Sequence, residues 1–395
     1  MHYFDFHYSW EQRKFSELVQ IERGSSPRPI DDFITDAPNG LNWVKIGDAP
    51  TQGNYITQTA EKIRPEGLSK TREVHPGDLI LSNSMSFGKP YIMGIDGCIH
   101  DGWLLIRNTY GVFDLTFLCH LLGTPQMLSQ YRSLAAGSTV NNLNKELVGN
   151  TYVTIPSITE QRVLGAYLEQ LDNLITLHQR KYDKLTNVKK SMLEKMFPQN
   201  GSNVPEIRFK GFTEAWEQRK LGEIGSVSMC RRIFKEQTSE NGEIPFYKIG
   251  TFGGEADAFI SRELFEEYKA KYQYPKKGDI LISASGSIGR TVVFTGKNEY
   301  FQDSNIVWLN HDKHLDNSFL KCFYSIVKWA GIEGSTIKRL YNDNILNTAI
   351  TLPSVEEQQK IGAYFENLDN LITLHQRELE KLKKLKKACL EKMFV

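Results

Sequence analysis

The sequence lacks the cysteine patterns of disulfide frameworks and zinc sites. No Cys-x-x-Cys pair occurs among its five cysteines, which are Cys98, Cys119, Cys230, Cys322 and Cys389. We therefore expect free thiols and a protein of the reducing cytosol. No apolar run approaches the roughly 18 residues of a membrane-spanning helix, and residues 1–5 have no signal-peptide character. These absences predict a cytoplasmic protein with no membrane contact.

The signature motifs of several enzyme classes are also missing. There is no G-x-x-x-x-G-K-[ST] phosphate loop, no H-E-x-x-H zinc motif and no G-x-S-x-G nucleophile motif. An Asn- or Asp-Pro-Pro-aromatic motif is absent as well, so adenine methyl transfer is not encoded here. Ser86 to Lys89 fits S-x-x-K, but so short a pattern arises by chance. We expect no catalytic residue, no metal and no bound cofactor.

A strong charge of either sign is the third absence. Lys and Arg number 48 and Asp and Glu 47, which leaves a formal net charge of +1. This balance excludes a histone-like basic tail and an acidic disordered chain, but it permits nucleic-acid binding through a local patch. Residues 1–156 hold 13 basic and 16 acidic residues (−3), and residues 198–353 hold 20 and 19 (+1).

What the chain does contain is an internal repeat. Residues 171–180 recur unchanged as 368–377, at an offset of 197, and 16 of 21 positions are identical between 160–180 and 357–377. Upstream the offset is larger, 206 at the Trp-Glu-Gln-Arg-Lys segment and 201 at the Gly-Asp segment. Because the offset falls from 206 to 197 along the chain, the second copy is 9 residues shorter. Elsewhere the copies hardly resemble each other. Near-identity fits a shared task and divergence fits two different ligands, whereas an old duplication would drift throughout.

The repeated segments predict two long helices. Ser157 to Glu160 and Ser354 to Glu357 have the spacing of a capping box, and apolar residues then recur with a period of 3.5. Helices of about 60 Å need a partner, and each copy offers one to the other in a coiled coil. The predicted interface residues are Leu164, Leu168, Leu171, Ile175, Ile361, Phe365, Leu368 and Ile372.

Polar residues interrupt the predicted seam. His178 and His375 occupy equivalent positions, as do Lys189 and Lys386. They either fix the register of the helix pair or lie at its edge and reach water. The lysine-rich stretch at 381–387 is either a solvated helix face or a surface for a partner or a phosphate.

The divergent segments, 1–155 and 199–352, predict mixed α/β modules. Residues 78–82, 279–283, 291–294 and 305–309 read as strands, and residues 117–122 and 319–329 read as helices. No βαβ alternation with a phosphate loop emerges. The chain is therefore predicted to be α+β, with two similar modules separated by an antiparallel two-helix coiled coil in a pseudo-twofold repeat.

Small polar loops follow equivalent strands in both modules, at residues 82–89 and 283–290. Hydroxyls and backbone amides that end in a cation suit a phosphate or a base edge, although an ordinary surface turn has the same composition. Lysines beside aromatic residues and the Gly-Ser-Thr segments offer similar surfaces. The candidate DNA-binding residues are Lys45, Ser84, Ser86, Lys89, Ser138, Asn141, Lys248, Ser285, Ser287, Arg290, Lys338 and Arg339.

Taken together, these segments resemble the specificity subunit of a type I restriction-modification system. The Trp-Glu-Gln-Arg-Lys segments, the Gly-Asp-Ile-Leu-Ile-Ser strand and the Pro-Ser-x-x-Glu-Gln helix ending in Glu-Lys-Met-Phe are similar to that family's, in the same order along the whole chain. The resemblance implies target-recognition domains at 1–155 and 199–352 and conserved spacer helices at 156–198 and 353–395.

The resemblance also implies partners. Each recognition domain would read half of a bipartite site in double-stranded DNA, and the helix regions would dock two modification (methyltransferase) subunits and motor-nuclease restriction subunits. S-adenosylmethionine, ATP and Mg²⁺ would belong to those partners. Two other classes stay open from the residues alone: a stand-alone DNA-modifying enzyme, and a scaffold whose modules bind protein.

Overall fold

The computed structural model describes residues 10–83, 87–135, 142–199, 201–331 and 338–394. The chain divides into two compact units, one of residues 1–181 with 375–395 and the other of residues 182–374. Each unit therefore contains one module together with part of each long helix.

The first module is built on a mixed five-stranded sheet of order β2-β10-β7-β8-β4. A four-stranded sheet of order β5-β3-β9-β6 and the pair β1-β11 complete it. The strands are β1 (Glu11–Lys14), β2 (Gln20–Arg23), β3 (Leu41–Val44), β4 (Tyr55–Ile56), β5 (Glu61–Ile63), β6 (Arg72–Val74), β7 (Leu79–Ser82), β8 (Pro90–Met93), β9 (Gly97–Ile99), β10 (Trp103–Arg107) and β11 (Tyr152–Ile155).

Helices cover one face of the larger sheet. Asp114 caps the first of them, because its side chain accepts a hydrogen bond from the backbone N–H of Phe117 (2.9 Å). Phe117 and Leu118 then pack into a core with Leu81 and Leu104, which are all buried. The helices are α1 (Leu115–Leu122), α2 (Pro125–Ala135), α3 (Lys145–Gly149) and the long α4 (Ile158–Met196).

The second module repeats this plan with one strand fewer in its larger sheet, which has the order β13-β19-β16-β17. The sheets β15-β14-β18 and β12-β20 accompany it. The strands are β12 (Glu217–Lys220), β13 (Gly225–Met229), β14 (Ile244–Tyr247), β15 (Phe259–Ile260), β16 (Ile280–Ser283), β17 (Thr291–Val293), β18 (Tyr300–Phe301), β19 (Ile306–His311) and β20 (Ala349–Leu352).

One helix of this module is shorter than the sequence predicts. Residues 319–329 read as a helix, but the helix ends at Ile326 because Val327 adopts an extended conformation (ψ 136°). Trp329 instead packs beside Tyr324, with ring centroids 5.6 Å apart. The helices are α5 (Leu221–Ile224), α6 (Arg262–Lys271), α7 (Asn317–Ile326), α8 (Asn342–Leu346) and the long α9 (Val355–Lys392).

The two long helices run antiparallel within each unit. In the first unit the beginning of α4 pairs with the end of α9, where Lys386 forms an ion pair with Asp172 and the Nδ1 atoms of His178 and His375 lie 3.1 Å apart. In the second unit the end of α4 pairs with the beginning of α9, through an ion pair between Lys189 and Asp369. The two lysines and the two histidines of the predicted seam thus each contact a residue of the opposite helix. The predicted α+β class, with two related modules and an antiparallel helix pair, is confirmed.

The predicted capping boxes are half right. The Ser157 hydroxyl accepts from the backbone N–H of Glu160 (3.3 Å), as expected of a cap. The carboxylate does not reach back, because it accepts a hydrogen bond from Trp10 Nε1 (3.1 Å). In the second copy the carboxylate of Glu357 is likewise diverted, to Arg208 (2.7 and 2.8 Å). The second half of each motif anchors its helix to the module.

The end of each long helix inserts a phenylalanine into the other copy's module. In the first unit Phe394 contacts Phe117 and Trp10, with ring centroids 5.3 and 6.4 Å away. In the second unit Phe197 contacts Phe319 and Trp216 at 5.2 and 5.9 Å. This explains why the Trp-Glu-Gln-Arg-Lys and Glu-Lys-Met-Phe segments repeat together, since they form one aromatic cluster in each unit.

Candidate nucleic-acid interface

The polar loop after β16 is held in a fixed shape by its own hydrogen bonds. The Ser283 hydroxyl donates to the carbonyl of Ser287 (2.5 Å) and accepts from the backbone N–H of Arg290 (2.9 Å). The Ser285 hydroxyl donates to Asn305 Oδ1 (2.8 Å), and Ser285 is buried. A rigid loop of this kind presents Arg290, whose side chain is exposed, from a defined position.

The structure brings two predicted features of the second module together. Gly286 N–H donates to the carbonyl of Lys338 (3.1 Å), and Leu340 N–H donates to the carbonyl of Ala284 (2.8 Å). Lys338 and Arg339 are both exposed. The polar loop and the basic segment therefore form one surface with three exposed cations, at Arg290, Lys338 and Arg339.

The first module has the same backbone framework. Lys89 N–H donates to the Ser82 hydroxyl (3.1 Å), and Leu143 N–H donates to the carbonyl of Asn83 (2.9 Å). The Lys89 ammonium lies over the Tyr91 ring, 4.9 Å from its centroid. Four candidates lie outside the described residues, namely Ser84, Ser86, Ser138 and Asn141.

Lys45 and Lys248 have acidic partners. Lys45 forms an ion pair with Glu61, and Lys248 with Asp257 (2.8 Å). Trp43, which precedes Lys45, is buried at 2% exposure, so its ring is not available to stack on a base. Nearness in sequence suggested that each lysine pairs with an aromatic ring. In the structure each lysine pairs with a carboxylate instead.

A third feature was not predicted from the sequence. Asp101 and Asp303 occupy equivalent positions after β9 and β18, and each lies beside an arginine of its own module. Asp101 accepts from the Ser26 hydroxyl (3.0 Å) and pairs with Arg28 (3.7 Å), and Asp303 accepts from Arg232 Nε (2.9 Å). The neighbouring Phe234 is 52% exposed. The three cations and one aromatic residue within 231–235 were the available sequence signal.

An open hollow of about 870 Å³ adjoins Asp101 in the first module. Arg28, Lys45 and His100 line it, and Arg28 is the most exposed of its cations, with 84% of its side chain accessible. Burial lowers the pKa of His100, which keeps this imidazole neutral near pH 7. The hollow thus offers polar groups of both signs, in contrast to the cationic surface of the second module.

The predicted interface residues of the helices fall into two sets by unit. Leu168 and Leu171 pack into the core of the first module, and Leu164 packs partly against it. In the second unit Ile361, Phe365 and Leu368 join the module's core in the same way. Ile175 is buried at 9% exposure and Ile372 is half-buried. The side chains that belong to these two cores pack against a module and against residues of the other long helix.

The described residues bear on two kinds of site, metal centres and reactive thiols. They contain no group of three or more His, Cys, Asp or Glu side chains that could hold a metal ion. Burial raises the pKa of Cys98 to about 11 and that of Cys230 to about 12, so these thiols stay protonated at neutral pH. In the part of the chain that the structure describes, every helix is too short or too polar to cross a membrane.

Comparisons with known proteins agree on one family. A model described as the type I restriction modification DNA specificity domain matches residues 8–187 and 213–384. The chain is 60% identical over 158 residues to a putative type I restriction enzyme specificity subunit of Haemophilus influenzae, a match that covers 39% of this chain and 41% of that relative.

Two further matches extend over nearly the whole chain. A type I restriction enzyme specificity subunit of Methanocaldococcus jannaschii is 21% identical over 96% of this chain and 94% of the relative. The crystal structure of the S subunit of a type I restriction-modification system from M. genitalium aligns with a TM-score of 0.65 and 15% identity, over 100% of this chain and 98% of that one. At 15% identity this structural match shows that the two chains share a fold.

Proposed function

The chain belongs to the family of type I restriction-modification DNA specificity proteins, and we propose that it reads a bipartite, asymmetric site in double-stranded DNA. The recognition domains would be residues 1–155 and 199–352, one for each half-site, with spacer helices at 156–198 and 353–395. One observation carries this proposal: the modules share the backbone framework of the polar loop, but the second exposes Arg290, Lys338 and Arg339 there, whereas Lys89 of the first lies over the Tyr91 ring. A shared framework with different side chains at its surface is suited to reading two different sequences.

Within the second module, the proposed DNA contacts divide by chemistry. The exposed cations Arg290, Lys338 and Arg339 would contact phosphates, whose charge dominates affinity. The hydroxyl of Ser285 is already engaged and buried, so it would shape the loop, and Ser287 would lie beside the bases. Arg232 is a further candidate, because arginine also reads guanine edges.

In the first module the proposed contacts are weaker. Lys45 and Lys89 would contact DNA beside Ser84, Ser86, Ser138 and Asn141, but Lys45 already has a carboxylate partner. Residues 1–156 carry a net charge of −3. The isolated chain is therefore expected to bind DNA poorly, and partner subunits would supply much of the clamp. Tight, specific binding by the purified chain would contradict this.

The identical helix segments would dock identical partners. Leu174 and Leu177 are 43% and 45% exposed, and their repeats Leu371 and Leu374 are 44% and 52% exposed. Exposed leucines at matching positions of both units suit two copies of one protein. We propose that these are two modification (methyltransferase) subunits, which join motor-nuclease restriction subunits and supply the catalysis and cofactors. The chain itself would be non-catalytic.

The salt dependence of DNA binding by the assembled complex tests these phosphate contacts. The double variant K338A/R339A is expected to weaken binding and to reduce the slope of log affinity against log salt by about 2, because each cation that neutralises a phosphate adds ~1 to that slope. The matched control K383A/K384A changes two exposed lysines of α9 and is expected to leave the slope unchanged. An unchanged slope for K338A/R339A would remove this surface from the proposed interface.

A further inference from the structure

In the first module, strand β4 covers the outer edge of β8. The two strands are parallel, and Ile92 N–H donates to the carbonyl of Asn54 (2.7 Å). Tyr91, Ile92 and Met93 of β8 are at most 2% exposed. The edge that would otherwise present free backbone groups is therefore closed within this module.

The same segment also reaches helix α4. Tyr55 donates its hydroxyl hydrogen to Glu169 Oε1 (2.9 Å), and Asn54 Nδ2 donates to Asp172 Oδ2 (2.9 Å). β4 is thus held by backbone bonds to β8 on one side and by side-chain bonds to two carboxylates on the other.

The second module has no counterpart of β4 among the residues described, because its larger sheet ends at β17. Val293 is the counterpart of Ile92, since both oppose the residue after a Gly-Asp turn. Phe294 N–H donates to the carbonyl of Asp279 (2.9 Å), so the alternation of the ladder directs Val293 N–H away from β16. Val293 is 39% exposed, against 2% for Ile92.

The exposed edge lies between two hollows. One, of about 320 Å³, is lined by Val293, Lys321, Glu366 and Asp369, and the other, of about 370 Å³, is lined by Val293 and Glu299. An extended chain places alternate side chains on opposite faces, so a strand added here would direct side chains into both hollows.

The carboxylates that β4 contacts are repeated in the second unit. Glu366 and Asp369 are the counterparts of Glu169 and Asp172 in the repeat, at the offset of 197. Asp369 forms ion pairs with Lys189 and Lys321. Burial alone would raise the pKa of Asp369, but hydrogen bonds from these two lysines lower it. Glu366 is exposed, and no donor within the described ranges replaces the Tyr55 hydroxyl. A carboxylate at this point favours a partner with a hydrogen-bond donor.

We propose that β17 binds an extended segment of a partner protein as an added parallel strand. The segment would carry a donor side chain that reaches Glu366, followed by an apolar residue, as in Asn54-Tyr55-Ile56 of the first module. Strand addition of this kind takes its affinity from the main chain and its specificity from alternate side chains. The site is present in one module, so this partner binds once per chain, unlike a partner of the duplicated helix segments.

A synthetic peptide with the sequence of residues 52–58 tests the proposal on the full chain. Fluorescence anisotropy is expected to show binding at one site, weakened about tenfold by Glu366→Ala, which removes the charged acceptor. The control Glu380→Ala removes another exposed carboxylate of α9, away from β17, and is expected to leave peptide binding unchanged. A peptide with alanine at the Asn and Tyr positions should bind more weakly than the parent peptide.

Hydrogen exchange supplies an independent readout. In the free chain the amide of Val293 is expected to exchange faster than that of Ile92, and the peptide should slow it. Three results would overturn the proposal: equal exchange at the two amides in the free chain, peptide binding that Glu366→Ala leaves unchanged, or protection of Val293 by duplex DNA and not by the peptide.

Discussion

The two modules attach to the long helices in the same way but differ in what they bring to the attachment. Gln161 and Gln358 make matching bonds, since each accepts from the backbone N–H of a helix-capping aspartate at 2.9 Å. The neighbouring carboxylates differ, because Glu160 accepts from Trp10 whereas Glu357 pairs with Arg208. The glutamine contacts between helix and module are therefore the same in both units. The contacts of the neighbouring glutamates already differ between them.

The same contrast holds at the sheet edges. In the first module β4 binds β8 and two carboxylates of α4, whereas β17 of the second module is exposed at its outer edge. The two copies make the same contacts along the long helices and different contacts within the modules. Variants at equivalent positions therefore distinguish an interaction that both units share from one that a single module makes.

Removing the inserted phenylalanines is expected to have the largest effect. Phe394→Ala should destabilise the first unit and Phe197→Ala the second, each by about 3–5 kcal/mol, because the substitution removes a buried aromatic ring from a packed cluster. Hydrogen exchange in β7 and β16 would measure the two units separately. Leu177→Ala, at a site 45% exposed, is the control and should change little. A loss of protection in the wrong unit would contradict the equivalence of the two clusters.

The anchoring glutamates should behave unequally. Glu357→Gln leaves Arg208, whose side chain is 13% exposed, without its counter-charge, and is expected to cost about 3 kcal/mol. Glu160→Gln keeps an oxygen that can accept from Trp10 and should cost less than about 1 kcal/mol. Trp216 Nε1, the counterpart of Trp10 Nε1, has no acceptor within the described residues. Denaturant unfolding of the two variants would measure the difference, and equal losses would show that the carboxylates act alike.

Two glycines of the long helices give a smaller test. A Cβ atom at Gly165 would lie 2.8 Å from the backbone N of Phe117, and one at Gly362 would overlap the Ser318 hydroxyl. Alanine at either position is expected to cost about 1–3 kcal/mol through overpacking, despite its better helix propensity. Adding Ser318→Gly should relieve Gly362→Ala but not Gly165→Ala, as thermal unfolding would show. Absence of rescue would mean that Ser318 is not the obstacle.

The long helices and the strands β7 and β16 were predictable because their signals are local and occur twice. Capping residues, a period of 3.5 and Gly-Asp turns each lie within a few positions of the element that they define. The Glu357–Arg208 pair was not predictable, since its partners lie 149 residues apart and one of them belongs to a segment without a described counterpart in the first module. The strand β4 was missed because two residues carry too little pattern.

The candidate interface was predicted in part for a similar reason. The polar loops and the basic segment at Lys338 and Arg339 were recognisable by composition, and their contact through Gly286 required the fold. Arg232 was not selected, because its partner Asp303 reaches it from a loop 71 residues away. Lys45 and Lys248 were selected by adjacency to aromatic residues, while the fold gave each of them a carboxylate.

The central claim is that each module reads one half of the DNA site, and a module replacement tests it most directly. Residues 1–155 would be exchanged for the first module of another specificity subunit, and adenine methylation would be mapped in cells that carry the cognate modification subunit. The proposal predicts that one half of the methylated motif changes while the other half and the register between them persist. A change in both halves would contradict the division of recognition between the modules.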